Sequence, residues 1–483
     1  MPNVKNLEKL RPCGHLETFS TARHYDGYYN NVGLAATYTW LSQSLNSLED
    51  QIYAALRTVL EKHTFLSTVT VNEDKSYPQV YYARLPSIDL RTCVEFRERK
   101  EPRPQDGERD RELDELLIDQ HNRGYSDDIE RRPFWRVVVL TSLSDSATFT
   151  VAWIFHHALG DGSSAFLFHD TFLAALNSLG SNPDANPIVV SPSSPLPPPF
   201  EELHPMTVSW SYFLKAVGMI LFPSVFAPRP AKLWTGIDIP TTTSSPPKFN
   251  LRTFALSAHT TKQLALLSRK EGTSVTATIQ CLLAASLFDN LPADGFDKVK
   301  LTGPMAMRRF LRDVPEDQMT NAIMPYEFLH QRLPTGSEKP GILQHFSWDE
   351  ARAVKSVIQA ELAKEGRDNN IALLKYLSDM HGFFHGALGK PRALTADLSS
   401  IGVYKPKSTG QWEIGRMTFS QCANWTGGAF GVNVVTGGDG NASVNFCWCK
   451  GSVEEGMIGR VMEGVKRGVE ELVKAVEGEA AVK

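Results

Sequence analysis

Two adjacent histidines, His156 and His157, are followed by Ala158-Leu159-Gly160, an aspartate at 161 and a glycine at 162. An imidazole titrates at about 6.5 when unperturbed. Held at the end of an apolar run, it can take a proton at neutral pH and return it, which is typically worth roughly 10²–10⁴ in rate. A carboxylate four residues further on either orients that ring or pins the turn. The pattern points to acyl transfer with His157 as general base, and His156, one step back along the strand, is read as structural.

Other chemistry-bearing residues carry less. His381 and His385 are four apart and could share a helix face, but Gly382, Gly386 and Gly389 weaken a helix there and no third ligand is close in sequence. They are read as structural, and no metal is expected. The six cysteines are scattered without a Cys-x-x-Cys pair; Cys447 and Cys449 would share one face of a strand and are read as core. Reduced thiols, and an N-terminus without the apolar run of a signal peptide, make the cytoplasm the expected compartment. There is no Gly-x-Ser-x-Gly elbow, no Gly-x₄-Gly-Lys-Ser/Thr loop and no His-Glu-x-x-His pair, so serine hydrolase, P-loop and zincin chemistries lack their signatures. A formal charge of −4 without a basic tract gives no reason to expect nucleic acid.

The elements that must position the histidines are legible around them. Thr148 to Phe155 alternates with Phe149, Val151, Trp153 and Phe155 on one face, which predicts a buried strand ending at His156. Gly160 and Gly162 allow a tight turn, and from Ser163 the positions Phe166, Phe168, Phe172, Leu173 and Leu176 fall on helical spacing. Further on, strands are expected over Asn250–Leu256, Lys298–Met307, Phe430–Val435 and Ser443–Trp448, and helices over Thr260–Arg269 and Ser274–Leu287. A C-terminal helix is expected over Val453–Val476, opened by Ser452-Val-Glu-Glu455 in capping-box form. The stretch from Asn182 to Pro199 is too rich in proline for a helix or central strand and reads as an extended linker. Behind it, Tyr212 to Phe222 is apolar but interrupted by Lys215 and broken at Pro223, short of the ~20 residues that span a bilayer. Packing against the body is expected for it, with a membrane surface as the alternative.

These residues resemble the fungal alcohol acetyltransferase family, relatives of chloramphenicol acetyltransferase, the plant-type BAHD acyltransferases and peptide-synthetase condensation domains. The resemblance spans nearly the whole chain. It includes Arg11-Pro12-Cys13-Gly14-His15-Leu16-Glu17, Ala22-Arg23-His24, Tyr28-Tyr29-Asn30-Asn31-Val32, Pro133-Phe134-Trp135-Arg136-Val137, the His156–Gly162 motif, Gly303-Pro304-Met305-Ala306-Met307-Arg308, Ser399-Ser400-Ile401-Gly402 and Phe419-Ser420-Gln421. It implies an α/β fold of two chloramphenicol-acetyltransferase-like lobes with the active site in a channel at their interface. The expected division is 1–181, a proline-rich crossover over 182–247, and 248–483.

The resemblance further implies transfer of an acetyl or other acyl group from coenzyme A to a hydroxyl of an apolar small molecule by a monomer, with acyl-CoA as co-substrate and no resident cofactor. Asp161 is then expected to pair with Arg308 and point away from substrate, and Gly162 to keep the approach to His157 open. Ser420 is the candidate oxyanion donor, weighed against a strand serine satisfied by backbone. Arg269 and Lys270 are candidates for the donor phosphates, weighed against a solvated helix end. Relatives of this kind also place peripheral contact with the endoplasmic reticulum membrane or lipid droplets among the alternatives. An N-acyltransferase, an enzyme fed by an acyl carrier protein, and a non-catalytic binding relative stay open.

Overall fold

The computed structural model describes residues 4–41, 47–143, 145, 147–180, 183–226, 228–242, 246–334, 341–407 and 409–481. The edge expected at 181/182 and the side chain of Val476 lie outside the described residues. Among the described residues, one sheet runs in the order Val94–Glu98, Trp135–Thr141, Thr148–Phe155, Val32–Trp40, Trp412–Gln421. All eight residues of Thr148–Phe155 are buried, with strands paired on both edges and Trp153 stacked on Phe155 and Phe168 on one face. The helices Leu48–Lys62 and Gly162–Ser178 pack together beside it.

A second sheet runs in the order Leu233–Trp234, Lys298–Ala306, Ala396–Val403, Phe430–Thr436, Ala442–Cys449, Phe249–Leu256, with Ile323–Gln331 antiparallel on Lys298–Ala306. Its helices are Ala258–Lys270, Val275–Asn290, Trp348–Ala363 and Met457–Ala481. The last of these buries Met457, Ile458, Val461, Met462, Val465, Val469, Leu472 and Val473 as one stripe. At its Gly464 an added Cβ would sit 2.1 Å from Ser286 Oγ, so the glycine lets the helix approach Val275–Asn290 closely. The chain is thus a two-lobe mixed α/β protein. No helix among the described residues is long and apolar enough to cross a membrane.

One local expectation is corrected. The C-terminal helix begins at Met457, one turn later than expected, because Ser452 is buried in the preceding turn with its hydroxyl donating to the Ala429 and Cys449 carbonyls, and it caps nothing. Within the proline-rich crossover Ile188–Val190 pairs with Ser87–Asp89, and further along it Leu233–Trp234 joins the second sheet beside Lys298. The apolar stretch forms the helix Trp210–Leu221, which packs through Ala216 and Gly218 but leaves Trp210 and Ile220 about four-fifths exposed (80% and 78%). It is therefore packed on one face only.

The strand Trp412–Gln421 lies in the C-terminal half of the chain yet pairs antiparallel with Val32–Trp40 of the first sheet. It also packs against Phe430–Thr436 and Ala442–Cys449 of the second, so it ties the two sheets together beside the histidine turn.

Candidate functional site

The strand Thr148–Phe155 ends with the His156 N–H donating to the Phe134 carbonyl, and the Leu159 N–H closes the turn on the His156 carbonyl. The two histidines diverge from there. His156 is fully buried, and its Nδ1 accepts from the Ala158 N–H, so its proton is on Nε2, 3.3 Å from Glu73 Oε1. His24 mirrors it: its Nε2 accepts from the Tyr125 N–H and its Nδ1 lies 2.6 Å from Glu73 Oε2. Glu73 therefore accepts hydrogen bonds from His24 Nδ1 and the Thr70 hydroxyl and lies against the protonated His156 Nε2. Burial alone would push its carboxyl up, but the two histidines hold it well below the usual range. The three side chains are close enough to share a metal ion, but the nitrogens facing the carboxylate carry protons, and the group works as a pin under the turn.

His157 faces the other way, into a cavity of about 710 Å³ walled by residues of both lobes, among them Leu16, Phe213, Ile323, Leu374, Gly431 and Cys447. Burial, with a further contribution from the Arg23 charge, pushes its imidazole down to about 4. An N–H of the ring bonds the residue's own carbonyl oxygen. Asn321 Nδ2 donates to that carbonyl at 3.1 Å and lies 3.3 Å from His157 Nδ1. Only Nδ1 can reach the residue's own carbonyl, so it carries the ring proton, and the unprotonated Nε2 is the nitrogen left for a substrate.

Asp161 is the N-cap of the helix Gly162–Ser178, with Oδ1 accepting from the Ser164 N–H at 2.9 Å. The same oxygen lies 2.9 Å from Arg308, and Oδ2 accepts from the Ala322 N–H at 3.1 Å. Burial would raise this carboxyl, but Arg308 and the two backbone donors outweigh it and hold it below the ordinary value. Arg308 also donates to the carbonyls of Gln318 and Thr320 and to Ser164 Oγ. The aspartate and arginine thus clamp the segment 318–322 onto the helix start, and that segment carries Asn321 to His157. Nothing in the residue order around 321 marks Asn321 as a site residue.

Two expected residues sit differently. Ser420 does not face the cavity: it is fully buried, and its hydroxyl lies 2.8 Å from His121 Nε2. Asn31 Nδ2 donates to the carbonyls of Gln120 and Arg123, so its Oδ1 accepts the His121 Nδ1 proton, and Nε2 must accept from Ser420. The only proton Ser420 owns is committed to that bond, which removes it as an oxyanion donor. Its neighbour Gln421 is the residue on the cavity wall, taking the Tyr29 hydroxyl at 2.5 Å and donating to Asn433 at 2.6 Å. Ser420→Ala is accordingly expected to leave kcat within about threefold, where loss of a true oxyanion donor costs on the order of 10²–10³. Steady-state kinetics of the variant decide this.

Gly162 does not hold an approach open. A Cβ there would lie 2.3 Å from Ile401 Cγ2, so the glycine permits close packing of the helix start on the strand Ala396–Val403. Arg269 and Lys270 are exposed at the C-terminal end of the helix Ala258–Lys270, away from the cavity wall, where their charges complement the negative end of the helix dipole. His381 and His385 both turn to Asp26, at 3.0 and 3.4 Å, as structural partners of one carboxylate.

The chain was compared with known proteins. The model of the alcohol acetyltransferase family matches residues 12–459. A probable alcohol acetyltransferase of Aspergillus fumigatus is 33% identical over 482 aligned residues, covering 94% of this chain and 97% of the relative. A second probable alcohol acetyltransferase, from Fusarium pseudograminearum, is 26% identical with 97% and 94% covered. Among solved structures, a trichothecene 15-O-acetyltransferase from Fusarium sporotrichioides superposes with a TM-score of 0.70 over 98% of both chains at 13% identity. The first condensation domain of the calcium-dependent antibiotic synthetase follows at 0.60, covering 98% and 96% at 14% identity. At these identities the structural likeness speaks for the fold.

Proposed function

The chain belongs to the alcohol acetyltransferase family and is an acyltransferase; from that premise we propose that it moves an acetyl group from coenzyme A to the hydroxyl of a largely apolar small molecule, with His157 as general base. The observation that carries this reading is a histidine whose ring N–H is committed to its own carbonyl, which Asn321 also holds, on the wall of an interlobe cavity lined mostly by aliphatic and aromatic side chains. Nε2 takes the acceptor's proton as its oxygen bonds the thioester carbonyl carbon. The resulting imidazolium then returns the proton to the thiolate as the carbon–sulfur bond breaks. Asp161 and Arg308 act at one remove, holding Asn321 in place.

A base held near 4 is neutral throughout the physiological range, and its protonation on acidification stops the reaction. The kcat/KM for thiol release is expected to be flat at neutral pH and to fall as pH drops through about 4. A midpoint near the ordinary histidine value would show that burial and Arg23 do not hold the ring down. The donor is tested by offering free acetyl-CoA against an acyl-loaded carrier protein: turnover with free acetyl-CoA supports the reading, and turnover with the loaded carrier alone overturns the coenzyme A donor.

A further inference from the structure

The cavity wall carries one arginine, Arg23, which no side chain hydrogen-bonds or ion-pairs at contact distance among the described residues. The first helix, His15–Tyr25, presents Leu16, Phe19, Ser20 and Arg23 to the cavity on successive turns. The Arg23 guanidinium lies over the Phe19 ring at 4.4 Å and the Tyr29 ring at 4.5 Å, and the residue is 8% exposed. Among the described residues its side chain has no ion pair and no hydrogen bond, and Nε is buried without a partner. The other charged groups on the cavity wall are His157, Asp397 and Glu327. Asp397 accepts from the Gly428 N–H and acts on Arg23 only through space, and Glu327 is paired with Lys300 at 2.6 Å; neither makes a contact ion pair with Arg23.

A buried guanidinium whose N–H groups bond no anion is costly unless something supplies the missing partner. Two aromatic faces fix its plane and leave the N–H edge for a planar, two-oxygen partner, the geometry in which arginine binds carboxylates best. The Tyr29 ring that stacks on Arg23 is 5.7 Å from the His157 ring, so the anion would sit one ring layer away from the reacting hydroxyl. We propose that Arg23 forms an anion subsite of the acceptor pocket, and that the preferred acceptors are amphiphilic hydroxy acids: a hydroxyl at His157, an apolar body along the cavity wall and a carboxylate at Arg23. This rests on the acyl-transfer reading above. An anionic oxygen could also come from the tetrahedral intermediate, and the experiment separates the two sources.

Calorimetric binding of a hydroxy fatty acid whose hydroxyl lies a few carbons from its carboxyl, its primary amide and its methyl ester is measured on wild type, Arg23→Gln, Arg23→Lys and Asp397→Asn, with unfolding temperatures and, in parallel samples, turnover with acetyl-CoA recorded alongside. The wild type is expected to bind the acid roughly 10- to 100-fold more tightly than the amide or ester. Arg23→Gln should abolish that preference and Arg23→Lys keep part of it. Asp397→Asn should enlarge it by removing the carboxylate that faces the same space. Equal binding of acid and amide by the wild type, or a preference that survives in Arg23→Gln, overturns the subsite. If Arg23→Gln instead lowers kcat equally for all three acceptors, the charge serves the intermediate and the subsite is again overturned. Binding is read without turnover, so an Arg23-dependent preference for an acid that is never acetylated would keep the subsite and sink acyl transfer. Acetylated alcohols without acid preference would do the reverse.

Discussion

Replacing Arg308 with alanine is expected to cost about 3–5 kcal/mol of stability, because it strands the fully buried Asp161 carboxylate without its cation. The loss should be larger than that of an ordinary surface pair, since one guanidinium joins Asp161, Ser164, Gln318 and Thr320 at once. Arg308→Lys keeps the charge but not the planar fork, and should recover only part of the difference. Because Asn321 rides on the clamped segment, activity should fall in both variants. The double variant Asp161→Ala with Arg308→Ala should be less destabilised than the sum of the singles, as expected for residues that share one interaction. Urea denaturation midpoints for the set provide the check. Additive losses would mean that Asp161 and Arg308 act separately.

The second large effect is catalytic. His157→Ala should lower kcat for acceptor-dependent thiol release by roughly 10²–10⁴ while leaving the unfolding midpoint close to wild type, since the ring faces a cavity and not the core. The KM for acetyl-CoA should change little, because a proton-transfer group contributes mainly to the transition state. A variant with unchanged kcat and a raised KM would recast His157 as a binding residue.

How much of this was readable in advance depended on distance along the chain. The strand, the turn and the capped helix around His157 are local, written within Thr148 to Leu176 by alternation, two glycines and a helical repeat, and each is found there. The second-lobe strands and helices were also marked by their periodicity, to within a few residues. The partners were not. Asn321 meets His157 across 164 positions, and Gln421 meets Tyr29 across 392; no periodicity reports such pairings. The Arg308 pairing came through the family resemblance.

Ser420 was misplaced for a definable reason. The expectation rests on the Phe419-Ser420-Gln421 motif, and a motif does not say which of two neighbouring strand residues faces a cavity: Ser420, opposite Gly33, turns to His121, and Gln421, opposite Val32, lies on the cavity wall. Arg23 was visible in the sequence only as part of an opening segment. Its significance lies in what surrounds it, and the absence of a partner is a property of three dimensions.

The most direct test follows coenzyme A thiol and ester product in the same samples, with acetyl-CoA and a hydroxyl acceptor, for wild type and His157→Ala. One ester formed per thiol released, dependent on the acceptor and lost in the variant, is the expected result. Thiol release without ester, or ester formation that proceeds equally in His157→Ala, would contradict transfer to a hydroxyl through this histidine.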